Sequence, residues 1–138
     1  MEKGNIMATT KERKNQLMVW ANDVINLSSI CNNGEIVSNS YNGQIAAFSV
    51  SVALSGLKPA LALYYSGKGS SDVDKKEIIK LLAAMYSKEK NTQTNTDEFF
   101  NLVIRASGDE LIDLHKKIIE YGIALKLAVR TFKFRSHE

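Results

Sequence analysis

The sequence has few of the residues that crosslink a chain, bind metals or break helices. Its 138 residues include one Cys, one Pro, one Trp and two His. A single Cys excludes an intramolecular disulfide framework and a Cys-cluster zinc site, and it suits a reducing cytosol. No apolar run approaches the roughly 20 residues of a membrane span, and Met1 to Lys14 contain no apolar signal-peptide core. We therefore expect a soluble, cytoplasmic protein without membrane contacts.

The abundant residue types favour a single helical domain over residues 1–138. Hydrophobic residues make up 44% of the chain, which suits one core. One Pro with abundant Ala, Leu, Lys, Glu and Ile is typical of helices. Asn33-Gly34 and Asn42-Gly43 lack alternating apolar flanks, so neither predicts a β-hairpin. The predicted fold class is all-α: a compact bundle of five to six helices with a long central C-terminal helix.

Apolar residues spaced by three and four predict the helix positions. The first helix is expected from about Thr10 to Cys31, with Leu27 and Cys31 on its inner face, and Asn33-Gly34 in the segment that ends it. A loop is expected at 67–71. The remaining predicted helices are Ser38 or Ser40 to Ser55, Lys58 to Ser66 with Pro59 in its first turn, Asp74 to Ser87 with an Asp74–Glu77 capping box, and a short helix capped by Asn95 or Thr96.

The last helix has the clearest pattern. Ser107 and Glu110 have capping-box spacing, and apolar periodicity continues to about Phe134, which corresponds to roughly 40 Å. Two adjacent apolar stripes form an arc so broad that we expect a central helix surrounded by the others. The first stripe is Leu111, Leu114, Ile118, Tyr121, Leu125, Val129 and Phe132, and the second is Ile112, Ile119, Ile123 and Leu127.

Residues suited to catalysis or metal binding are isolated from one another. His115 has no second His or Cys at metal-ligand spacing, and Cys31 has no His or basic neighbour to lower its thiol pKa. Asp109, Glu110 and Asp113 cluster, but acidic residues are expected in the first turn of a helix. We therefore expect a non-enzyme with no cofactor and no metal.

Positive charge collects near both termini. Residues 1–20 carry four basic and two acidic residues, 21–115 carry eight and eleven, and 116–138 carry six and two. Lys126, Arg130 and Lys133 are spaced by four and three, which predicts a row on one face of the last helix. Such a row follows a phosphate backbone; the alternative is a solvated helix end whose cations complement the dipole. The candidate nucleic-acid contacts are Arg13, Lys14, Lys116, Lys117, Lys126, Arg130, Lys133 and Arg135.

Several patterns also occur in the order typical of one family. They are Arg13, Gln16, Trp20, Ala21 and Val24 in the first helix, a second helix led by Tyr41, Gly56-Leu57-Lys58-Pro59-Ala60-Leu61-Ala62, Ser107-Gly108-Asp109-Glu110, and Glu120, Leu125 and Arg130 in the last helix. This order resembles the small all-helical subunit of the type III-B CRISPR effector complex, the Cmr complex.

The chain departs from that family at four positions. Ala53 and Ser55 stand where the family commonly has Arg and Asn, Leu127 replaces an aromatic residue, and Val129 replaces the first Lys of a Lys-Arg pair. The last of these departures, Val129, leaves Lys126, Arg130 and Lys133 as the expected RNA contacts of the last helix.

The resemblance implies a non-catalytic subunit in antiviral defence. Its implied partners are the guide RNA–target RNA duplex, the large subunit, the repeat-related backbone subunits and further copies of itself stacked along the inner filament. The alternative is a protein-only helical adaptor whose basic face binds acidic partner surfaces. Stabilising a duplex whose sequence is read by base pairing needs phosphate contacts on a rigid surface, and no base-specific side chains.

Overall fold

Six helices and three two-residue strands make up the part of the chain that the computed structural model describes, residues 10–67 and 74–135. The helices are α1 (Thr10–Asn26), α2 (Ser40–Ser55), α3 (Leu57–Tyr65), α4 (Lys76–Lys90), α5 (Thr96–Arg105) and α6 (Gly108–Val129), and the strands are β1 (Cys31–Asn32), β2 (Glu35–Ile36) and β3 (Lys133–Phe134). The predicted all-α bundle is confirmed. The loop predicted at 67–71 lies, after Gly67, outside the described residues.

The longest helix organises the bundle. α6 has 22 residues and is therefore about 33 Å long. It packs most extensively against α1 and α2, and it also contacts α4. Its inner face is buried and completes a single core with the other helices; the buried residues include Leu114, Ile118, Tyr121, Leu125 and Val129.

α6 is the long helix at the centre of these contacts, as predicted, but the other described elements leave its opposite face open and do not surround it completely. Ile112 is 69% exposed, and Ile123 and Leu127 are each 46% exposed. These three residues belong to the second apolar stripe, whose fourth member, Ile119, packs against the core. An exposed apolar stripe beside a well-packed core is a feature of binding surfaces.

The end of α6 differs from the prediction. The helix stops at Val129 instead of Phe134 because Thr131 donates both its amide and its hydroxyl to the Ala128 carbonyl, at 3.0 and 2.7 Å. Such i to i−3 bonds tighten and end a helix. The chain then extends as β3, in which the exposed Lys133 alternates with the partly buried Phe134, as expected for a strand.

Asn33-Gly34 forms a hairpin turn and does not end a helix as predicted. β1 and β2 pair antiparallel, with Cys31 opposite Ile36. Asn33 and Gly34 have φ of 55° and 78°, the positive values that a tight type I′ turn requires. The paired segments are too short to show alternation in the sequence. β2 also pairs in parallel with β3, which ties the C-terminal segment to the hairpin.

The first helix is correspondingly shorter than predicted. α1 ends at Asn26, and the Ser28 hydroxyl and amide both donate to the Ile25 carbonyl, at 2.8 and 3.1 Å. Leu27 is 81% exposed, so its predicted place on the inner face is wrong. Cys31 lies in β1 and is half-buried.

Glycine separates α2 from α3. Gly56 has φ of 95°, a conformation that L side chains rarely adopt. It is the single residue that links the end of α2 to the beginning of α3. Pro59 lies in the first turn of α3, as predicted, where its missing amide hydrogen breaks no helical hydrogen bond. Leu63 is 51% exposed, so α3 is buried on one side only.

The predicted caps are realised to different degrees. Asn95 forms a complete capping box with Glu98 at the start of α5. Asp74 accepts a hydrogen bond from the Lys76 amide at 3.0 Å, but the Glu77 carboxylate is engaged elsewhere, by Ser29 and Lys80. The Ser107 side chain makes no capping hydrogen bond.

Among the described residues, no helix combines the length and apolar character that crossing a lipid bilayer requires.

Candidate nucleic-acid interface

The last turn of α6 presents two of the predicted cations. Lys126 and Arg130 are one turn apart, about 6 Å along the helix axis. Arg130 follows the helix with φ of −70° and ψ of −15°, so its side chain continues the register of the last turn. Arg130 is exposed and Lys126 is half-exposed. Neither makes an ion pair within residues 10–67 and 74–135, so the Lys126 ammonium and the Arg130 guanidinium can both bind an anion.

Lys133 does not extend this row along the helix, so the prediction of three cations on one helix face is wrong in its third member. Lys133 lies on β3, directly opposite Glu35 of β2. Glu35 is also 3.9 Å from the Arg135 guanidinium, measured from Oε1 to Nε. The acidic side chain partly neutralises Arg135, whereas Lys133 is exposed at the same edge of the ribbon.

Two further candidates lie near the middle of α6 and differ in their surroundings. Lys117 donates to Asp113 one turn earlier, at 2.6 Å. That hydrogen bond, more than any other influence, holds the pKa of the Asp113 carboxyl below its ordinary value. Lys116 is exposed and has no such partner in the described part of the chain. It lines a groove between α1 and α6, together with Lys14 of α1.

Arg13 occupies a structural position between three helices. Its guanidinium donates to Glu89 of α4 at 2.7 and 3.2 Å and to Glu120 of α6 at 3.1 and 2.7 Å. These hydrogen bonds raise the pKa of Arg13. Tyr121 donates to the same Glu89 at 2.6 Å. Because both carboxylates engage its guanidinium, this position argues against the predicted role of Arg13 as an RNA contact.

Sequence patterns missed this network for a simple reason. Arg13 lies 76 residues from Glu89 and 107 from Glu120, so no local spacing connects them. What joins Arg13 to Glu120 is the packing of α1 against α6, a tertiary contact that spacing within one helix does not reveal. It brings Lys14 and Lys116 to one groove, while Lys133 and Arg135 turn away onto the ribbon.

The residues considered for chemistry remain apart. His115 is exposed on α6, and Cys31 is a free thiol on β1. Within the described ranges, no three His, Cys, Asp or Glu residues lie close enough together to hold a metal ion. This statement covers the acidic start of α6, where Asp109, Glu110 and Asp113 lie.

Comparison of the chain with protein-family models, with curated proteins and with solved structures found no match.

Proposed function

We propose that this protein is a non-catalytic small subunit of a cytoplasmic type III-B CRISPR ribonucleoprotein. The proposal rests on the resemblance of its sequence to that subunit family. The protein binds the guide RNA–target RNA duplex along its phosphate backbone. The cations that carry this function are Lys126, Arg130 and Lys133.

The observation that supports the proposal is the contrast among the basic residues. Arg13 and Lys117 form close ion pairs with carboxylates of the same chain. Lys126 and Arg130 lie at the end of α6, and Lys133 lies on β3 just after it; none of the three forms such a pair in the described residues. Lysine and arginine on a firmly packed surface suit an RNA duplex, because its deep, narrow major groove hides the base edges.

The proposal extends to assembly with other subunits. The resemblance implies contacts with the large subunit, with the repeat-related backbone subunits and with further copies of this chain. In such an assembly the duplex sequence is read by base pairing, so this subunit needs only shape and charge. Co-purification of the tagged full chain from its native host tests this part, since guide RNA and the other subunits should accompany it.

Salt-dependent binding tests the RNA surface directly. Affinity for a guide–target duplex is measured across a range of KCl concentrations for the full chain and for Lys126→Ala/Arg130→Ala/Lys133→Ala. Each lost phosphate contact lowers the magnitude of the log–log salt slope by roughly 0.7 to 0.9. Loss of three contacts in the triple variant should therefore lower it by roughly 2.1 to 2.7, and the variant should bind at least about tenfold more weakly. Circular dichroism checks that helicity is unchanged.

A matched triple controls for net charge. Lys11→Ala/Lys90→Ala/Arg105→Ala also removes three exposed cations, but they are spread over α1, α4 and α5. It should keep most of the affinity and the salt slope. An equal loss in both triples, or no loss in the first, overturns the assignment of the RNA surface. Binding to partner subunits without binding to RNA supports the protein-only adaptor instead.

A further inference from the structure

A groove of about 480 Å³ runs between the beginning of α1 and the second half of α6. Leu17, Met18 and Ala124 line it with apolar surface, and Ile123 and Leu127 add two apolar side chains that are each 46% exposed. Ile123 and Leu127 are four residues apart, so they lie one above the other on the same face of α6. The flexible Met18 side chain adapts to varied apolar partners.

The borders of the groove are basic. Lys14 lies on α1 and Lys116 on α6; both are exposed, and neither has an ion-pair partner in the part of the chain that the structure describes. Among the described lining residues the acidic one is Glu120, and Arg13 engages it at 2.7 Å. The groove therefore combines an apolar lining with uncompensated positive charge from both helices.

This combination favours one kind of occupant. An RNA backbone gains nothing from Ile123 and Leu127. Unpaired bases stack on aromatic side chains, and none of the described residues that line the groove is aromatic. A second copy would have to supply an acidic amphipathic helix. α5 carries Asp97 and Glu98 in its first turn, but its apolar face is buried in its own core. The acidic start of α6 exposes one large apolar side chain, Ile112, which is too few for an apolar face. An amphipathic helix with acidic flanks satisfies both the lining and the borders.

We propose that this groove binds an acidic amphipathic helix of a partner protein. The apolar side chains of that helix, spaced by three and four, pack on Met18, Ile123 and Leu127. Its carboxylates pair with Lys14 and Lys116. The groove uses different residues from the proposed RNA surface, so the two inferences stand or fall separately.

The probe is a synthetic peptide of about 18 residues, long enough to form a helix, with Leu spaced by three and four and Glu on its other face. Its binding to the ¹⁵N-labelled full chain is followed by NMR. We expect chemical-shift changes at the groove residues and no binding of a peptide of the same composition in scrambled order. Shift changes confined to another surface, or no binding of the amphipathic peptide, overturn the proposal.

Matched variants separate the groove from a general exposed apolar surface. Ile123→Asp should weaken peptide binding at least about tenfold, as expected for a central anchor residue. Ile112→Asp, at a still more exposed position of α6 outside the groove, should leave it unchanged. Equal losses in the two variants overturn the proposal. Lys14→Glu/Lys116→Glu should abolish binding of the Glu peptide and create binding of a Lys counterpart, and failure to switch overturns the charge assignment.

Two further outcomes assign the groove to another occupant and overturn the proposal. The first is a guide–target duplex that shifts the groove resonances and displaces the peptide. The second is self-association that Leu127→Asp abolishes in sedimentation analysis. The RNA-surface triple variant Lys126→Ala/Arg130→Ala/Lys133→Ala should retain peptide binding, and Ile123→Asp should retain RNA binding. Failure of one function is thereby distinguished from failure of the other.

Discussion

The Arg13 guanidinium lies 2.7 Å from the Glu120 carboxylate although 107 residues separate them in the sequence. This ion pair joins the first helix of the described chain to the last. Glu89 brings α4 to the same guanidinium, at 2.7 Å. Because Tyr121 donates to Glu89, the network also reaches the core face of α6. One side chain near the beginning of α1 thus links three helices beside the groove.

Replacing Arg13 by Ala should destabilise the protein by about 2 kcal/mol, because two half-buried carboxylates lose their cationic partner and Glu89 keeps only the Tyr121 hydrogen bond. The loss is smaller than the roughly 3–5 kcal/mol of a fully buried pair, since the Arg13 side chain is 31% exposed. Arg13→Lys should recover only a small part of the stability that Arg13→Ala loses, because an ammonium group cannot donate to both carboxylates as the forked guanidinium does. Urea unfolding measures these changes. Lys14→Ala is the control, and it should change the free energy of unfolding by less than about 0.5 kcal/mol.

The same network predicts sensitivity to acid. Burial by itself raises the pKa of Glu89, but hydrogen bonds from Arg13 and Tyr121 outweigh it and lower the pKa below its ordinary value of 4.5. A carboxyl with a lowered pKa in the folded state stabilises the protein above about pH 4.5. That contribution is lost as the pH falls toward the folded-state pKa. The unfolding free energy should therefore decrease with acid more steeply in the native protein than in Glu89→Gln.

Denaturant unfolding at pH values from about 6 to about 3 measures this difference. Tyr121→Phe removes one of the two hydrogen bonds that lower the Glu89 pKa. Its acid dependence should fall between those of the native protein and Glu89→Gln. If Glu89→Gln loses stability in acid as steeply as the native protein, the network does not determine the acid response.

How far the sequence predicts this fold depends on how local each feature is. Helical periodicity extends over many residues, so the bundle and its long last helix were predictable. The ribbon was missed because its strands have two residues each. The alternation of Phe132, Lys133, Phe134 and Arg135 was an available signal for β3, but it directly follows a helical pattern. Periodicity alone does not determine where one pattern replaces the other.

The candidate site was predicted only in part, for a related reason. Spacing within one helix placed Lys126 and Arg130 together, and the last turn of α6 keeps them so. It could not reveal that Lys117 pairs with Asp113 or that Arg13 is enclosed by carboxylates from two distant helices. Whether a basic residue is free for RNA depends on tertiary neighbours, which one sequence does not specify.

The two predicted helix caps offer a matched pair of stability measurements. Asn95→Ala should cost about 1 kcal/mol, because the Asn95 side chain accepts from the Glu98 amide at 2.8 Å and caps α5. Ser107→Ala should change stability by only a few tenths of a kcal/mol, since the Ser107 side chain makes no capping bond. Thermal or urea unfolding compares the two. Equal losses would show that Ser107 caps α6 in solution.

Replacing Gly by Ala should change the stability of the protein in opposite directions at the two Asn-Gly pairs, Asn33-Gly34 and Asn42-Gly43. Gly34→Ala places a side chain at φ of 78° and should destabilise the protein by about 1–2 kcal/mol. Gly43 lies inside α2, and a Cβ there would meet nothing within 4 Å. Gly43→Ala should therefore stabilise the protein by about 0.5–1 kcal/mol, through the better helix propensity of Ala.

Urea unfolding measures the free energy of unfolding of Gly34→Ala and of Gly43→Ala. If Asn33-Gly34 is the turn of the β1–β2 hairpin, the two changes have opposite sign. The interpretation from the sequence, in which Asn33-Gly34 belongs to the segment that ends the first helix, does not place both residues in a two-residue turn. A second position therefore separates the interpretations. Asn33→Gly should be tolerated because glycine adopts positive φ readily, whereas Asn33→Val should destabilise, since β-branched residues disfavour it. A stable Asn33→Val variant would contradict the hairpin.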